Sequence, residues 1–404
     1  MSTQSAKSST TRLALLFAAG NLSIGLVYPI ISLILQERAG MSERELGLFW
    51  GIASLAGGLA FALWGLAGDG RLGRRRGLAL AIALYTGAAV LAMVGPEAAV
   101  ASALFAFLVA ESGLAPLLDT ITLDALAGRT ASYSQLRSAG SAGFGVAALG
   151  LTPLLALFGW GGLAVATGVA GLIGVLTTLS LRERPVLSET RPHLRDLINL
   201  PRRAPAFGKL ALIAAISAIP SAAIFQWFPP LLRDHGFDPR LAPLGSGLTA
   251  LLEVPVLFAV ARLGARSGWR LPFVAGALLY VPIVALMALP LPLPALIALR
   301  MSSGVAYALL ISGAVVLVRE LVPAHLVATG QGLLQLSLFG LAPAVAGLVG
   351  GVLWPLIGSG SVAVLALFGL VGGIAGARLL PVGHTVHHTK GDRGIEPVAI
   401  EPPA

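Results

Sequence analysis

Cysteine is absent from this chain of 404 residues, which excludes disulfide frameworks, thiolate metal sites and cysteine nucleophiles. Charge is also scarce, because 11% of the residues are charged where a soluble domain has about 25%. Apolar residues are abundant at 56% of the chain, and the mean hydropathy is +0.87. A domain of this length cannot bury so much apolar surface in water. The composition therefore predicts an integral membrane protein.

Apolar runs of about 20 residues, the length that crosses a hydrocarbon core, occur twelve times along the chain. They begin near Leu13, Leu46, Leu78, Ala98, Ser138, Gly161, Leu210, Leu241, Leu271, Pro294, Val327 and Val362. The first run continues through Asn21 without a clear small-residue cleavage site, so we interpret it as an uncleaved span. The pattern predicts an all-α membrane protein with twelve transmembrane helices.

The placement of lysine and arginine predicts the orientation of these helices. If the N-terminus is cytoplasmic, 22 of the 27 cations fall in cytoplasmic segments, and such an excess is typical of the inner side of a membrane. Both termini are therefore expected in the cytoplasm, with the protein in the cytoplasmic (inner) membrane. This placement also accounts for the net charge of +9 without a nucleic-acid partner.

The longest polar stretch divides the chain into two halves of similar size. We expect a six-helix N-terminal half over residues 1–181, a cytoplasmic linker over 182–209, a six-helix C-terminal half over 210–380 and a cytoplasmic tail over 381–404. Residues 192–200 have helical apolar spacing, which suits either a helix on the membrane surface or a solvated linker helix. The pattern R-L-G-x-R-x-G occurs at 71–77 and again at 262–268, which indicates an internal duplication into two parallel halves.

The loop after the second span carries the sequence GLAGDGRLGRRR at positions 65–76. It resembles the loop signature of the major facilitator superfamily, although Gly70 is one residue more than the usual pattern has. The glycines suit a tight turn, and the aspartate is suited to accept hydrogen bonds that latch the cytoplasmic side. The resemblance implies a cytoplasmic gate, for which the candidate residues are Gly65, Asp69, Arg71, Gly73, Arg74 and Arg75. An ordinary turn rich in cations is the alternative.

A narrower resemblance lies in the segments PLLDTITL (116–123), YSQLRSAGSAGF (133–144) and EVPVLF (253–258). These segments resemble the branch of the superfamily that holds the phenylpropionic acid permeases, the lactose permease and the nucleoside proton symporters. The resemblance implies that Asp119, Arg137 and Phe144 face a substrate cavity, with the acid and the arginine pairing. Independently, both charged residues lie nine residues from a turn at residue 128, about 13 Å along each helix. A purely structural ion pair is the alternative.

Three other ionisable residues fall within predicted spans, where a charge is costly and usually functional. Glu253 and Glu111 are candidate proton carriers, since removal from water favours the protonated form of a carboxyl group. Arg300 is a candidate partner for a substrate anion or a carboxylate. Uncharged candidates for the cavity lining are Asn21, Gln226, Trp227 and Gln335, although hydrogen bonds between helices are the commoner use of such residues.

The sequence has no phosphate-binding loop, nucleophile elbow or metal-binding helix motif. We therefore expect neither an enzyme nor a cofactor or metal ion. The predicted function is secondary active transport of a small organic solute by alternating access, as proton symport of an aromatic acid, a saccharide or a nucleoside. Proton-coupled efflux of a drug or metabolite and a non-transporting receptor are the alternatives. The expected partners are the substrate, protons and membrane lipids, and the protein is expected to be a monomer.

Overall fold

The structure is a computed structural model, and it describes residues 3–69, 72–126, 131–181, 194–323 and 326–381. Regular structure in these ranges is helical throughout. The N-terminal half contains α1 (Thr3–Gly25), α2 (Ile31–Ala39), α3 (Glu43–Asp69), α4 (Arg74–Val94), α5 (Glu97–Glu111), α6 (Leu114–Leu126) and α7 (Ala131–Leu179).

The linker and the C-terminal half contain eight further α-helices. They are α8 (Leu194–Arg203), α9 (Pro205–Asp234), α10 (Ala242–Ser267), α11 (Arg270–Met287), α12 (Leu293–Leu321), α13 (Val327–Gln335), α14 (Ala342–Ile357) and α15 (Gly360–Leu379). A π-helical segment (Leu336–Leu341) joins α13 to α14. The helix α9 begins at Pro205, within the last residues of the predicted linker, and the domain boundaries stay a prediction. The predicted linker helix is α8, and it packs on α9 and α13 through the buried Leu200.

The predicted twelve spans are confirmed. Eleven helices of the described chain are long and apolar enough to cross a membrane, and α7 supplies two crossings. It is 49 residues long, about 73 Å at 1.5 Å per residue, and it bends at Gly159, where φ is 61° and ψ is −165°. Only glycine adopts this backbone conformation readily. The apolar core between the helices holds large side chains such as Tyr85, Phe107 and Tyr280.

Left-handed glycines show the duplication of the two halves in the backbone. The six glycines with positive φ form three pairs that lie 195 to 199 residues apart: Gly40 with Gly236, Gly73 with Gly268, and Gly159 with Gly358. Gly73 has φ 75° and ψ 151°, and Gly268 has φ 78° and ψ 157°. The structural equivalence therefore differs by one helical turn from the offset of 191 residues that the sequence repeat suggested.

An arginine follows each of these two glycines and caps a helix end. Arg75 donates from Nη1 to the carbonyl oxygen of Leu181 at 3.0 Å, just past α7. Arg270 donates from Nη1 to the carbonyl oxygen of Leu380 at 3.0 Å, just past α15. A cation at the carbonyl end of a helix is stabilising. Each half thus ties its third span to its sixth in the same way.

Two glycine-containing seams join the halves. Along α3 and α14, a Cβ atom on Gly47 would lie 2.5 Å from the Cα atom of Gly351, so the two backbones pack directly. Along α7 and α10, a Cβ atom on Gly247 would lie 3.0 Å from the carbonyl oxygen of Gly145 and closer still to the Leu149 side chain. Small residues allow such close approach of membrane helices.

Candidate substrate cavity

A cavity of about 380 Å³ lies between the two halves. We call the end of the bundle where α1 begins and α15 ends the terminal end, and the opposite end the distal end. Counted along its helix from the distal end, Arg300 lies about 10 Å deep and Glu253 about 16 Å deep, at 1.5 Å per residue. Asp119 and Gln335 lie nearer the terminal end. The cavity therefore occupies the middle of the bundle.

Most of the residues predicted for the substrate and proton sites line this cavity. The structure brings together Asn21, Glu111, Asp119, Phe144, Gln226, Glu253, Arg300 and Gln335 around it. Asn21 donates from Nδ2 to the carbonyl oxygen of Phe17 at 2.9 Å, and Gln226 donates from Nε2 to that of Pro343 at 2.9 Å. The buried Oε1 atom of Gln226 has no hydrogen-bond partner among the described residues. This acceptor is buried behind the cavity wall.

The interpretation of Trp227 as a cavity residue was wrong. Its side chain is 0% exposed, and its Nε1 atom donates to the carbonyl oxygen of Ala346 at 3.2 Å. The indole ring stacks on Trp354 with ring centroids 4.9 Å apart, and Gly350 packs against its edge. Trp227 follows Gln226 in sequence, so the turn of α9 directs it away from the cavity and into the contact with α14.

Arg137 is the predicted partner of Asp119. Arg137 lies in α7, but its side chain is outside the described part of the chain. The helix α6 ends at Leu126 and α7 begins at Ala131, and the predicted turn at residue 128 lies outside the described residues. The pairing of Asp119 with Arg137 stays a prediction.

The candidate gate is described only in part. Arg71 and the side chain of Asp69 are outside the described residues, so the latch stays a prediction. Gly65 is helical and has open space where a Cβ atom would be. Gly73 takes the left-handed turn before α4, and Arg74 begins that helix. Of the cations in the loop, Arg75 has a defined structural task, the cap on the carbonyl end of α7.

Interrupted helices place backbone breaks at the cavity wall. The break between α1 and α2 contains a short 3-10 turn with Tyr28, and the π-helical segment before α14 contributes Leu338 and Phe339 to the lining. The break after α5 follows Glu111 directly. There the carbonyl oxygen of Val109 accepts hydrogen bonds from Trp64 and Ser112 at 2.9 and 2.8 Å. Discontinuous helices at the midplane are typical of substrate sites in transporters.

Arg300 has an unusual environment for a cation. It is 3% exposed, and hydroxyl groups surround its guanidinium: Nη1 donates to Ser303 Oγ at 2.9 Å and to Thr249 Oγ1 at 3.2 Å. Nη2 donates to Ser246 Oγ at 3.3 Å. Among the described residues, the Nε atom has no hydrogen-bond partner and no carboxylate lies within 4.0 Å of the guanidinium. Arg300 is therefore a buried cation without a counter-charge in the part of the chain that the structure describes.

Sequence reasoning missed the hydroxyl groups around Arg300. Ser246 and Thr249 are three residues apart on α10, with Glu253 four residues further on. This spacing places all three on one face of a helix, and that was the available signal. Their approach to Arg300 depends on the crossing of α10 and α12, which periodicity does not reveal.

Aromatic rings close the cavity toward the distal end. The Cζ atom of Arg300 lies 5.2 Å from the centroid of Phe225. Phe225 in turn meets Tyr28 of the other half edge to face, with centroids 5.0 Å apart. Nearer the distal end, Arg240 and Glu37 form an ion pair of 3.0 Å across the halves, and Arg233 donates to Gln36 at 3.2 Å. The halves are thus joined at their distal end.

The profile of the MFS_1 like family matches residues 14–363 of the chain. In solved structures, the nucleoside transporter NupG is 17% identical, with a TM-score of 0.74 and coverage of 92% of this chain and 98% of that one. A bacterial homologue of the human lysosomal transporter Spinster, in an inward-facing and unoccupied conformation, is 16% identical, with a TM-score of 0.70. The match covers 94% of this chain and 98% of that one. The human organic anion transporter MFSD10 is 20% identical, with a TM-score of 0.67 and coverage of 92% and 99%. No curated protein matches the chain in sequence.

The likeness to these structures shows the fold, and the family match together with this fold defines a membrane transporter of the major facilitator type. The family match covers well over half of the chain. The protein therefore belongs to the MFS_1 like family.

Proposed function

We propose that the protein is a secondary active transporter that moves a small organic solute across the cytoplasmic membrane by alternating access, coupled to protons. The observation that carries this proposal is the lining of the central cavity. It combines three carboxylates, Glu111, Asp119 and Glu253, with one buried cation and several uncharged polar groups. Ionisable residues in a membrane interior are costly and are usually retained for function.

The conformation supports one step of the transport cycle. The halves are joined at the distal end by the ion pair of Arg240 with Glu37 and by the ring contact of Phe225 with Tyr28. In the proposal the terminal end is cytoplasmic, so this conformation is closed toward the outside. The opposite conformation requires these distal contacts to separate and the seam of α3 and α14 to open.

Two of these carboxylates are the proposed proton carriers. They are Glu253 in the C-terminal half and Glu111 in the N-terminal half, and both line the cavity. A carrier must bind its proton in one conformation and release it when the cavity becomes wet or a cation approaches. Arg300 of α12 is hydrogen-bonded to Ser246 and Thr249 of α10, the helix that carries Glu253, and it is the cation of the cavity lining.

Transport by purified protein in proteoliposomes tests this proposal, with a panel of solutes and a pH gradient of either direction. Glu253→Gln, which mimics the protonated acid, should abolish uphill accumulation while exchange across the membrane continues. Glu320→Gln, at the exposed end of α12, is the matched control and should behave as the unaltered protein. Uphill transport that survives Glu253→Gln but not Glu111→Gln would move the role to Glu111. Survival in the double variant would exclude both.

The same experiment separates symport from efflux. Accumulation driven by an inward proton gradient supports symport, whereas extrusion driven by that gradient supports the antiporter. Orientation needs its own test, which the absence of cysteine makes simple. Single cysteines at Ser5, Glu189 and Thr389 should resist impermeant thiol reagents in intact cells, and Glu97→Cys should react. Labelling of any of the first three from outside would overturn the proposed topology.

A further inference from the structure

We infer that Arg300 is the subsite for the anionic head of the transported solute, and that the solute is a small organic carboxylate with an apolar body. This inference rests on the proposed transport function and specifies its substrate class. It is carried by the surroundings of Arg300 in the cavity wall, and by the absence of a protein counter-charge for it among the described residues.

The neighbouring residues leave space for the Arg300 side chain and provide hydrogen-bond acceptors for its guanidinium. A Cβ atom on Gly245 would lie 2.6 Å from Arg300 Cγ and 3.1 Å from the Phe228 ring, so glycine makes room for the arginine stem. The Ser303 hydroxyl donates to the carbonyl oxygen of Arg300 at 2.6 Å, and the Thr249 hydroxyl lies 2.7 Å from the carbonyl oxygens of both Arg300 and Gly245, to one of which it donates. With their hydrogens used in this way, both hydroxyl oxygens accept from the guanidinium.

These neighbours hold the cation but do not neutralise it. Nη1 uses both of its hydrogen atoms on Thr249 and Ser303, whereas Nη2 uses one on Ser246. The second hydrogen of Nη2 and the hydrogen of Nε have no acceptor among the described residues. Nε and Nη2 form one edge of the planar guanidinium, the fork that binds a carboxylate through two parallel hydrogen bonds.

The aromatic part of the remaining wall fits an apolar body of modest size, although Glu111, Asp119 and Glu253 also line the cavity. Phe225 stands over the guanidinium, and further aromatic rings line the same cavity, among them Tyr28, Phe61, Phe144 and Phe339. The volume of about 380 Å³ is at the small end of ligand sites. A single ring or a short chain bearing one carboxylate satisfies both the charge of Arg300 and these walls.

Nε is enclosed in this conformation, with Phe225 between the guanidinium and Tyr28 of the other half. Separation of the distal ends would remove Tyr28 from Phe225 and uncover Arg300 from the outside. In this proposal the anion binds before the distal end closes.

Binding to the full-length protein in lipid nanodiscs tests the inference, with pairs of probes that differ in charge alone. The probes are benzoate with benzamide, and cyclohexanecarboxylate with its amide. The unaltered protein should bind each acid at least about tenfold more tightly than its amide, as expected of a buried bidentate pair. Arg300→Lys and Arg300→Gln should bring the ratio close to one. Arg319→Gln, exposed on the same helix, should leave it unchanged.

Equal affinity for acid and amide in the unaltered protein would overturn the inference without any variant, so a folding defect cannot conceal the answer. An acid preference that persists in a folded Arg300→Gln protein would also overturn it. The proteoliposome panel separates this outcome from failure of transport. Proton-driven movement of neutral solutes alone would leave the transport function standing and the anion site excluded. Selective acid binding without movement of any solute would support the anion site and exclude the transport function.

Discussion

The two halves share their backbone devices but differ in their chemistry. Each half turns at three left-handed glycines in equivalent places and caps its sixth span with an arginine from its third. The cavity walls, in contrast, are unlike: the N-terminal half contributes the acids Glu111 and Asp119, whereas the C-terminal half contributes one acid, Glu253, and the cation Arg300 with its ring of hydroxyl groups. The comparison teaches that turns and caps maintain the fold in both halves, while the facing side chains are free to specialise.

The loops at the terminal end differ in the same manner. With the structural offset of 195 residues, Asp69 corresponds to Gly264, and Arg71 corresponds to Arg266. The C-terminal half has no acid at this place. Gly264 instead packs against the Trp269 ring, where a Cβ atom would lie 2.6 Å from Cε3. An asymmetric pair of loops is suited to a latch that acts from one half.

The largest expected effect comes from the seam of α3 and α14. Gly47→Val places a side chain against backbone atoms of Gly351, which cannot move aside, and overpacking of this kind costs about 1–3 kcal/mol. Closure of the distal end should weaken, and transport in proteoliposomes should fall by about tenfold. Thiol labelling of Ser54→Cys from the distal side should rise in the same protein.

The seam of α7 and α10 provides the comparison for that variant. Gly247→Val meets the flexible side chain of Leu149, so roughly a two- to threefold loss is expected. Gly87→Val, with open space on the exposed face of α4, is the control and should transport normally. Equal losses of transport in Gly47→Val and Gly247→Val would show that backbone packing at the first seam has no larger effect than side-chain packing at the second.

A smaller effect is expected at the loop that carries the acid. Asp69→Asn should weaken closure of the terminal end, since an amide accepts hydrogen bonds from cations less strongly than a carboxylate does. Labelling of Ser54→Cys from the terminal side should then increase severalfold. Arg266→Gln, in the corresponding loop of the other half, should leave labelling as it is. Normal transport and unchanged labelling in Asp69→Asn would reduce the loop to a topology signal.

The paired left-handed turns should respond alike. Gly73→Ala and Gly268→Ala force a Cβ atom into a backbone conformation that costs about 1–3 kcal/mol for other residues. Both variants should lower the temperature of thermal inactivation in detergent by similar amounts. Gly150→Ala, a helical position with open space around it, controls for the added methyl group. A clear difference between the two turns would argue against their structural equivalence.

The least effect is expected from the helix caps. Arg75→Gln and Arg270→Gln each remove a hydrogen bond to a carbonyl oxygen at a helix end, worth about 1 kcal/mol. Thermal inactivation should shift slightly downward in both, and Arg262→Gln, an exposed cation, should not shift it. A far larger loss in one of the two variants would mean that its arginine serves the gate as well as the cap.

The number and order of the helices could be predicted because each span must satisfy its own backbone in lipid. This requirement leaves a long apolar run that is visible in the sequence. The exact correspondence between the halves was less accessible, since the two loops match at five positions with an offset of 191 residues and at only three with the structural offset of 195. Backbone angles at Gly73 and Gly268 settle the offset.

The cavity residues were predictable where charge was the signal, because an ionisable group inside a membrane is conspicuous. Glu111, Asp119, Glu253 and Arg300 all line the cavity. Uncharged residues were harder, as Gln226 and Trp227 show: they are neighbours in sequence, yet one lines the cavity and the other packs against Trp354. Which of two adjacent side chains faces the cavity depends on helix rotation, and that is decided by packing with the partner helices.

The position of Phe225 couples occupancy of Arg300 to closure of the distal end. One ring touches both the cation that we assign to the solute and Tyr28 of the opposite half. Occupancy of Arg300 and closure of the distal end therefore share a contact, and linkage makes their influence on each other equal in both directions. With aromatic pairs worth about 0.5–1.5 kcal/mol, this single ring can supply a coupling of up to about tenfold. Replacing Phe225 should consequently uncouple the two events before it abolishes either.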